Sequence, residues 1–179
     1  MVGSDKKTKL RGMELTNLAK KVERKVSSGS PIPIKDFEMR IAKDGVWYHQ
    51  GTPIKRLPLV KLFASVLLKE QDDSYWLVTP VEKGMIEVED APFLAVEVER
   101  VTSNENESFG TNFSFRTNLD EFVICGPENP LRVNIDPKTQ EPNPYILVRD
   151  GLEAKITRSV FYELIDVANE RIIDGKRFL

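Results

Sequence analysis

The chain predicts an α+β fold made of two related halves, each of antiparallel strands with one packed helix. The second half reads as a bent sheet or partial barrel closed by its helix. Three observations carry this. A plan of Asp-Gly turn, strand, arginine and helix occurs twice, at Asp44–Glu70 and again, shortened, at Asp150–Glu170. Laying Arg56 on Arg158 sets Leu59, Leu62, Phe63 and Val66 over Phe161, Leu164, Ile165 and Ala168, both at the i, i+3, i+4, i+7 spacing of one helical face. Elsewhere the strands are short and closely spaced, without the regular strand–helix alternation of a parallel α/β sheet.

In order, residues 1–30 form a basic arm with the weak helical periodicity of Leu15, Leu18, Ala19, Val22 and Val26. Ser27-Ser-Gly-Ser30 and Pro31-Ile-Pro33 divide it from the folded body. The first half, residues 31–92, opens on Phe37, Met39 and Ile41, whose alternation predicts a strand. The next strand sets Trp47 and His49 on one face and Val46 and Tyr48 on the other. A helix starts near Pro58 and runs toward Glu70 on an unusually wide apolar arc that adds Val60, Ala64 and Leu68. Tyr75–Thr79 and Met85–Glu89 follow as strands.

The second half, residues 93–179, begins with the long alternation of Leu94, Val96 and Val98 against Glu97 and Glu99. Strands follow around Phe113, Phe122 and Val133, with Gln140–Pro144 as an extended loop. Tyr145–Arg149 and Leu152–Ile156 form a hairpin that leads into a helix from Val160 to about Ile172, with Ser159 as N-cap. About six strands and a closing helix resemble a pleckstrin-homology-like domain.

Hydrophobic residues make up 40% and charged residues 30% of the 179, the balance of a water-soluble globule. No apolar run reaches the length of a membrane span, and no secretory h-region opens the chain, so a cytoplasmic protein is expected. The one cysteine, Cys125, excludes an internal disulfide. Net charge is −2 but uneven, since residues 1–26 carry eight Lys/Arg against three acids. That arm lacks the aromatics that base stacking needs, so a nucleic-acid partner is not expected.

The motifs exclude more than they assign. No G-x-x-x-x-G-K-[ST], G-x-G-x-x-G, G-x-S-x-G or H-E-x-x-H is present. With one His and one Cys, no metal or cofactor is expected and no catalytic set emerges. Arg56 and Arg158 stand out because each precedes a helix start, where the helix dipole mildly disfavours a cation. Each therefore needs a carboxylate partner, or else joins the helix N–H groups in holding an anion. His49, Trp47, Asp90, Phe93 and Arg149 complete the candidate ligand set. Each has a plainer structural reading: a sheet histidine, core aromatics, a capping acid and a surface arginine.

Across residues 31–173 the chain resembles the bacterial domain-of-unknown-function family 1285. The resemblance rests on Asp44-Gly-Val-Trp47, Gly51-Thr-Pro-Ile54, Arg56 and Leu62-Phe-Ala64. It continues through Leu77-Val-Thr-Pro-Val-Glu82, Ile86-Glu-Val-Glu-Asp-Ala-Pro-Phe93, Pro144-Tyr145, Val148-Arg-Asp-Gly-Leu-Glu-Ala154 and Arg158. It implies a duplicated α+β fold with a pleckstrin-homology-like second half. It also implies a small, nucleotide-like ligand between the halves and a role in signalling, with no reaction attached. The sequence thus supports three readings: a regulatory protein binding a small anion, an enzyme using Glu89 or Asp90 with His49, or a protein-interaction module. Oligomeric state is left open.

Overall fold

The computed structural model describes residues 32–101 and 112–168, together with the backbone of 171–173 and 176–178. The basic arm lies outside the described residues. Two compact units emerge. One joins the described residues up to Ile41 with Val46–Val88, and the other joins Ala42–Gly45 with the described residues from Glu89 onward.

The first unit is a six-stranded sheet. β1 (Met39–Ile41), β2 (Trp47–His49) and β3 (Thr52–Pro53) lead to α1 (Leu57–Ala64), and β4 (Leu67–Lys69), β5 (Tyr75–Val78) and β6 (Lys83–Val88) follow. Their spatial order is β3-β2-β1-β6-β5-β4. The central pair, β1 with β6, is parallel, and the other four pairings are antiparallel. Trp47, 1% exposed, stacks on Phe63 of α1 with centroids 6.5 Å apart, so this predicted ligand-stacking ring is a core residue. Gly84 admits the chain that precedes β1, because a Cβ there would lie 2.5 Å from the Lys35 carbonyl oxygen.

The second unit follows the same plan. β7 (Phe93–Val101), β8 (Asn112–Thr117), β9 (Phe122–Ile124), β10 (Leu131–Ile135), β11 (Pro142–Arg149) and β12 (Leu152–Ile156) precede α2 (Arg158–Val167). The order is β10-β11-β12-β7-β8-β9, again with one parallel pair, β12 with β7, at its centre. In both units three strands run from the centre to one edge and three return from the other edge. The units differ in where the helix falls: after the third strand in one, after the sixth in the other. Phe93, Ala95, Phe115, Ile146, Leu152, Ala154 and Val160 are fully buried and form the core. A separate hairpin, β13 (Arg171–Ile173) with β14 (Lys176–Phe178), follows α2.

Five local expectations are corrected. α1 ends at Ala64, because the Ser65 hydroxyl bonds back to the Leu62 carbonyl at 2.7 Å and Leu67–Lys69 pairs with β5 instead of continuing the helix. The buried positions of α1 are Val60 and Ala64, whereas Leu62 of the expected stripe is 50% exposed. α2 stops at Val167 and residues 171–173 are strand. Its N-cap is Thr157, not Ser159, and the Thr157 hydroxyl is spent on the Ala95 carbonyl, 3.0 Å away. Pro142–Pro144, expected as loop, belongs to β11.

Candidate functional site

The repeated plan places its two arginines differently. Gln50-Gly51 and Asp150-Gly151 both take paired positive φ values (50° and 73°, 45° and 77°), the requirement of a tight two-residue hairpin turn. The structural counterpart of Asp150-Gly151 is therefore Gln50-Gly51 rather than Asp44-Gly45. After the first hairpin, Arg56 is the exposed N-cap of α1, and its carbonyl accepts from Leu59 and Val60 N–H. After the second, Arg158 opens α2 and pairs with Glu141 at 2.9 Å. Those side chains are 77% and 56% exposed, so the pair is solvated and contributes about 0–1 kcal/mol.

Arg158 lines a cleft of about 490 Å³ in the second unit. Lys43 and Lys155 line it too, giving three cations against the single carboxylate of Glu141. The first turn of α2 contains no acid and its N-cap makes no side-chain cap bond, so neither offsets the positive end of the helix dipole. Phe161 and Tyr162 add an aromatic wall, with Tyr162 59% exposed. This arrangement can hold an anionic group beside a flat ring.

Lys155 ties the cleft to Asp90, with which it forms an ion pair. The other Asp90 oxygen accepts from the Tyr145 hydroxyl at 2.8 Å. Burial, reinforced by that carboxylate, pushes the Tyr145 phenol above its ordinary value and keeps it protonated at neutral pH. Arg132 lies over the Tyr145 ring at 4.3 Å and is held by Glu153, whose bond pushes the guanidinium further up. Asp90 thus has both oxygens engaged within its own unit.

Phe93 and Arg149 meet, with the guanidinium 5.2 Å from the ring centroid. Phe93 is fully buried, however, and Arg149 pairs with Glu121 at 3.3 Å. His49 lines a second, mostly apolar cleft of about 360 Å³ in the first unit, with Met39, Leu59, Phe63 and Leu77 and the acids Asp36 and Glu82. Of the seven sequence-derived candidates, the cationic cleft contains Arg158 and reaches Asp90 through Lys155. Lys43, Lys155 and Tyr162 were missed. Lys155 alternates outward between Ala154 and Ile156, and Tyr162 stands one helical turn from Arg158, so pattern alone could have flagged those two. Among the described residues no three His, Cys, Asp or Glu side chains gather to hold a metal ion, and no helix is long and apolar enough to cross a membrane.

Two family models match the chain: the N-terminal domain of unknown function DUF1285 over residues 25–91 and its C-terminal domain over 92–179. The chain belongs to the DUF1285 family. Among solved structures, a DUF1285 family protein from Silicibacter pomeroyi DSS-3 is 45% identical, with a TM-score of 0.71 over 83% of this chain and 78% of that one. A DUF1285 family protein from Shewanella baltica OS155 is 28% identical, with a TM-score of 0.56 over 73% and 92%. No curated protein matches. The family is described only as one of unknown function, so membership carries the two-part architecture and no activity.

Proposed function

We propose that this DUF1285 protein is a cytoplasmic regulatory protein that binds a small anionic, nucleotide-like ligand in the cleft of its second unit. One observation carries the reading: Lys43, Lys155 and Arg158 line one cleft with the N-terminus of α2, beside Phe161 and Tyr162. Cations and helix N–H groups suit a phosphate, and an aromatic wall suits a purine or pyrimidine ring. The solvated Glu141 partner is exchangeable, so an incoming phosphate takes Arg158 at little cost. The signalling role is the context in which binding without chemistry is useful.

Calorimetry against a panel of nucleotides, cyclic nucleotides and phosphorylated metabolites tests this. At least one phosphorylated compound binds, more weakly as salt rises. Lys43→Ala and Arg158→Ala each weaken it at least tenfold, about 1.4 kcal/mol, while melting temperature is kept. Arg56→Ala, in the first unit, leaves affinity unchanged. A panel without any binder, or equal loss with Arg56→Ala, overturns the proposal.

A further inference from the structure

The free edge of the second unit's sheet has unusual chemistry. β10 is an outermost strand and pairs only with β11 among the described strands. All five of its residues are exposed, and Leu131, Val133 and Ile135 alternate along one face at 37%, 47% and 54% exposure. Edge strands of soluble proteins are ordinarily blunted by lysine, proline or a bulge, since an open row of N–H and C=O groups is a template for another strand. β10 contains neither lysine nor proline, and its register with β11 is unbroken.

Its backbone directions follow from two flanking bonds. Leu147 N–H donates to the Pro130 carbonyl at 3.1 Å, and Asp136 N–H donates to the Glu141 carbonyl at 2.9 Å. With the register in which Arg132 faces Tyr145 and Asn134 faces Asn143, these fix the narrow, hydrogen-bonded pairs at Arg132 and Asn134. Leu131, Val133 and Ile135 therefore direct their N–H and C=O groups away from β11, the Leu131 N–H toward the Cys125 sulfur. Pro144 and Pro142, opposite Val133 and Ile135, fit the same pattern, because no N–H toward β10 is required of them.

We infer that β10 is a self-pairing edge, through which two copies of this chain join antiparallel about a two-fold axis at Val133. In that register Val133 meets its own copy in a narrow pair exchanging two backbone bonds, and Leu131 meets Ile135, whose N–H donates to the Leu131 carbonyl. The three apolar side chains then form one continuous row across the junction. Arg132 falls opposite Asn134 of the other copy, so no like charges meet. Shifting the register two residues toward the strand's start would set Arg132 against Arg132. Arg132 is moreover already neutralised by Glu153. The patch is thus complementary to itself in both charge and apolarity. A single five-residue strand pair buries less than the roughly 1,200 Å² of standard interfaces, so the association depends on concentration.

Sedimentation velocity over a concentration series, with amide exchange on the same samples, tests this. Wild-type protein shows a monomer–dimer equilibrium. The amides of Val133 and Ile135 gain protection as concentration rises, whereas those of Arg132 and Asn134, bonded within the chain, are protected throughout. Val133→Lys, which sets two ammonium groups face to face, and Val133→Pro, which removes an outward N–H that β11 does not use, each raise the dimer dissociation constant at least tenfold with melting unchanged. Four outcomes overturn the inference: a monomer at every attainable concentration; a dimer that survives both substitutions; a dimer without concentration-linked protection of the Val133 and Ile135 amides; and a monomer whose β10 edge takes only a foreign extended peptide.

Discussion

The hairpin and helix of residues 47–64 and those of residues 142–167 share a turn conformation, an arginine near the helix start and a helix on a sheet. Yet they bound different clefts. Beside α1, mostly apolar side chains line the hollow, its charged residues are the acids Asp36 and Glu82, and Arg56 is not among them. Beside α2, Arg158 joins two lysines. The cause is where the neighbouring strands come from. Unit one surrounds its helix with Met39 and Leu77, whereas unit two brings Lys155 from β12 and Lys43 from the Ala42–Gly45 turn. A repeated local pattern therefore fixes a repeated conformation without fixing a repeated chemistry.

The comparison can be broken most severely at Trp47. Its ring is the seat of α1, and Trp47→Ala removes about 3–5 kcal/mol. Chemical denaturation reads this, and a loss under 1 kcal/mol would show that the stack with Phe63 does not hold the helix.

Next come the turn glycines, which test whether the two hairpins are conformationally equivalent. Gly51→Ala and Gly151→Ala each force a side chain into left-handed backbone and cost about 1–2 kcal/mol. Gly45→Ala costs more than either, because its Cβ would also lie 2.7 Å from the Asn118 amide nitrogen. Equal losses at all three would undo the pairing of Gln50-Gly51 with Asp150-Gly151.

The smallest effect belongs to Tyr145, beside the cationic cleft. Tyr145→Phe gives up one hydrogen bond to Asp90, about 1 kcal/mol at neutral pH. The folded-state phenol titrates above its unfolded value near 10, so its contribution is present below about pH 10 and is lost as pH rises toward the folded value. Stability measured from pH 8 to 11 falls in the wild type, and the Phe variant shows a shallower fall. Parallel alkaline limbs would refute this account of the phenol.

Much of the fold was legible because alternation and turn chemistry are local. β12 and the Asp150-Gly151 hairpin stand where Glu153 and Lys155 alternate with the buried Leu152, Ala154 and Ile156, and β7 stands where expected, although its buried residues are Phe93 and Ala95 and the expected Leu94, Val96 and Val98 are half-buried. The ends of the helices were not legible. Val66 and Leu68 fit a helical stripe as well as they fit the start of β4, and only the pairing of Leu67 with Leu77 decides between them. The site was half legible: Arg158 stood out by its position before a helix, while Lys43 is an ordinary turn lysine until the chain folds.

By itself the sequence determined two related strand-rich halves, their hairpin turns, their apolar faces and the arginine at each helix start, because these depend on residues a few positions apart. Tertiary structure alone decided the parallel pairing of β1 with β6 and of β12 with β7, the gathering of Lys43, Lys155 and Arg158, and the open edge at β10. Those depend on contacts between residues distant along the chain, which no local period encodes.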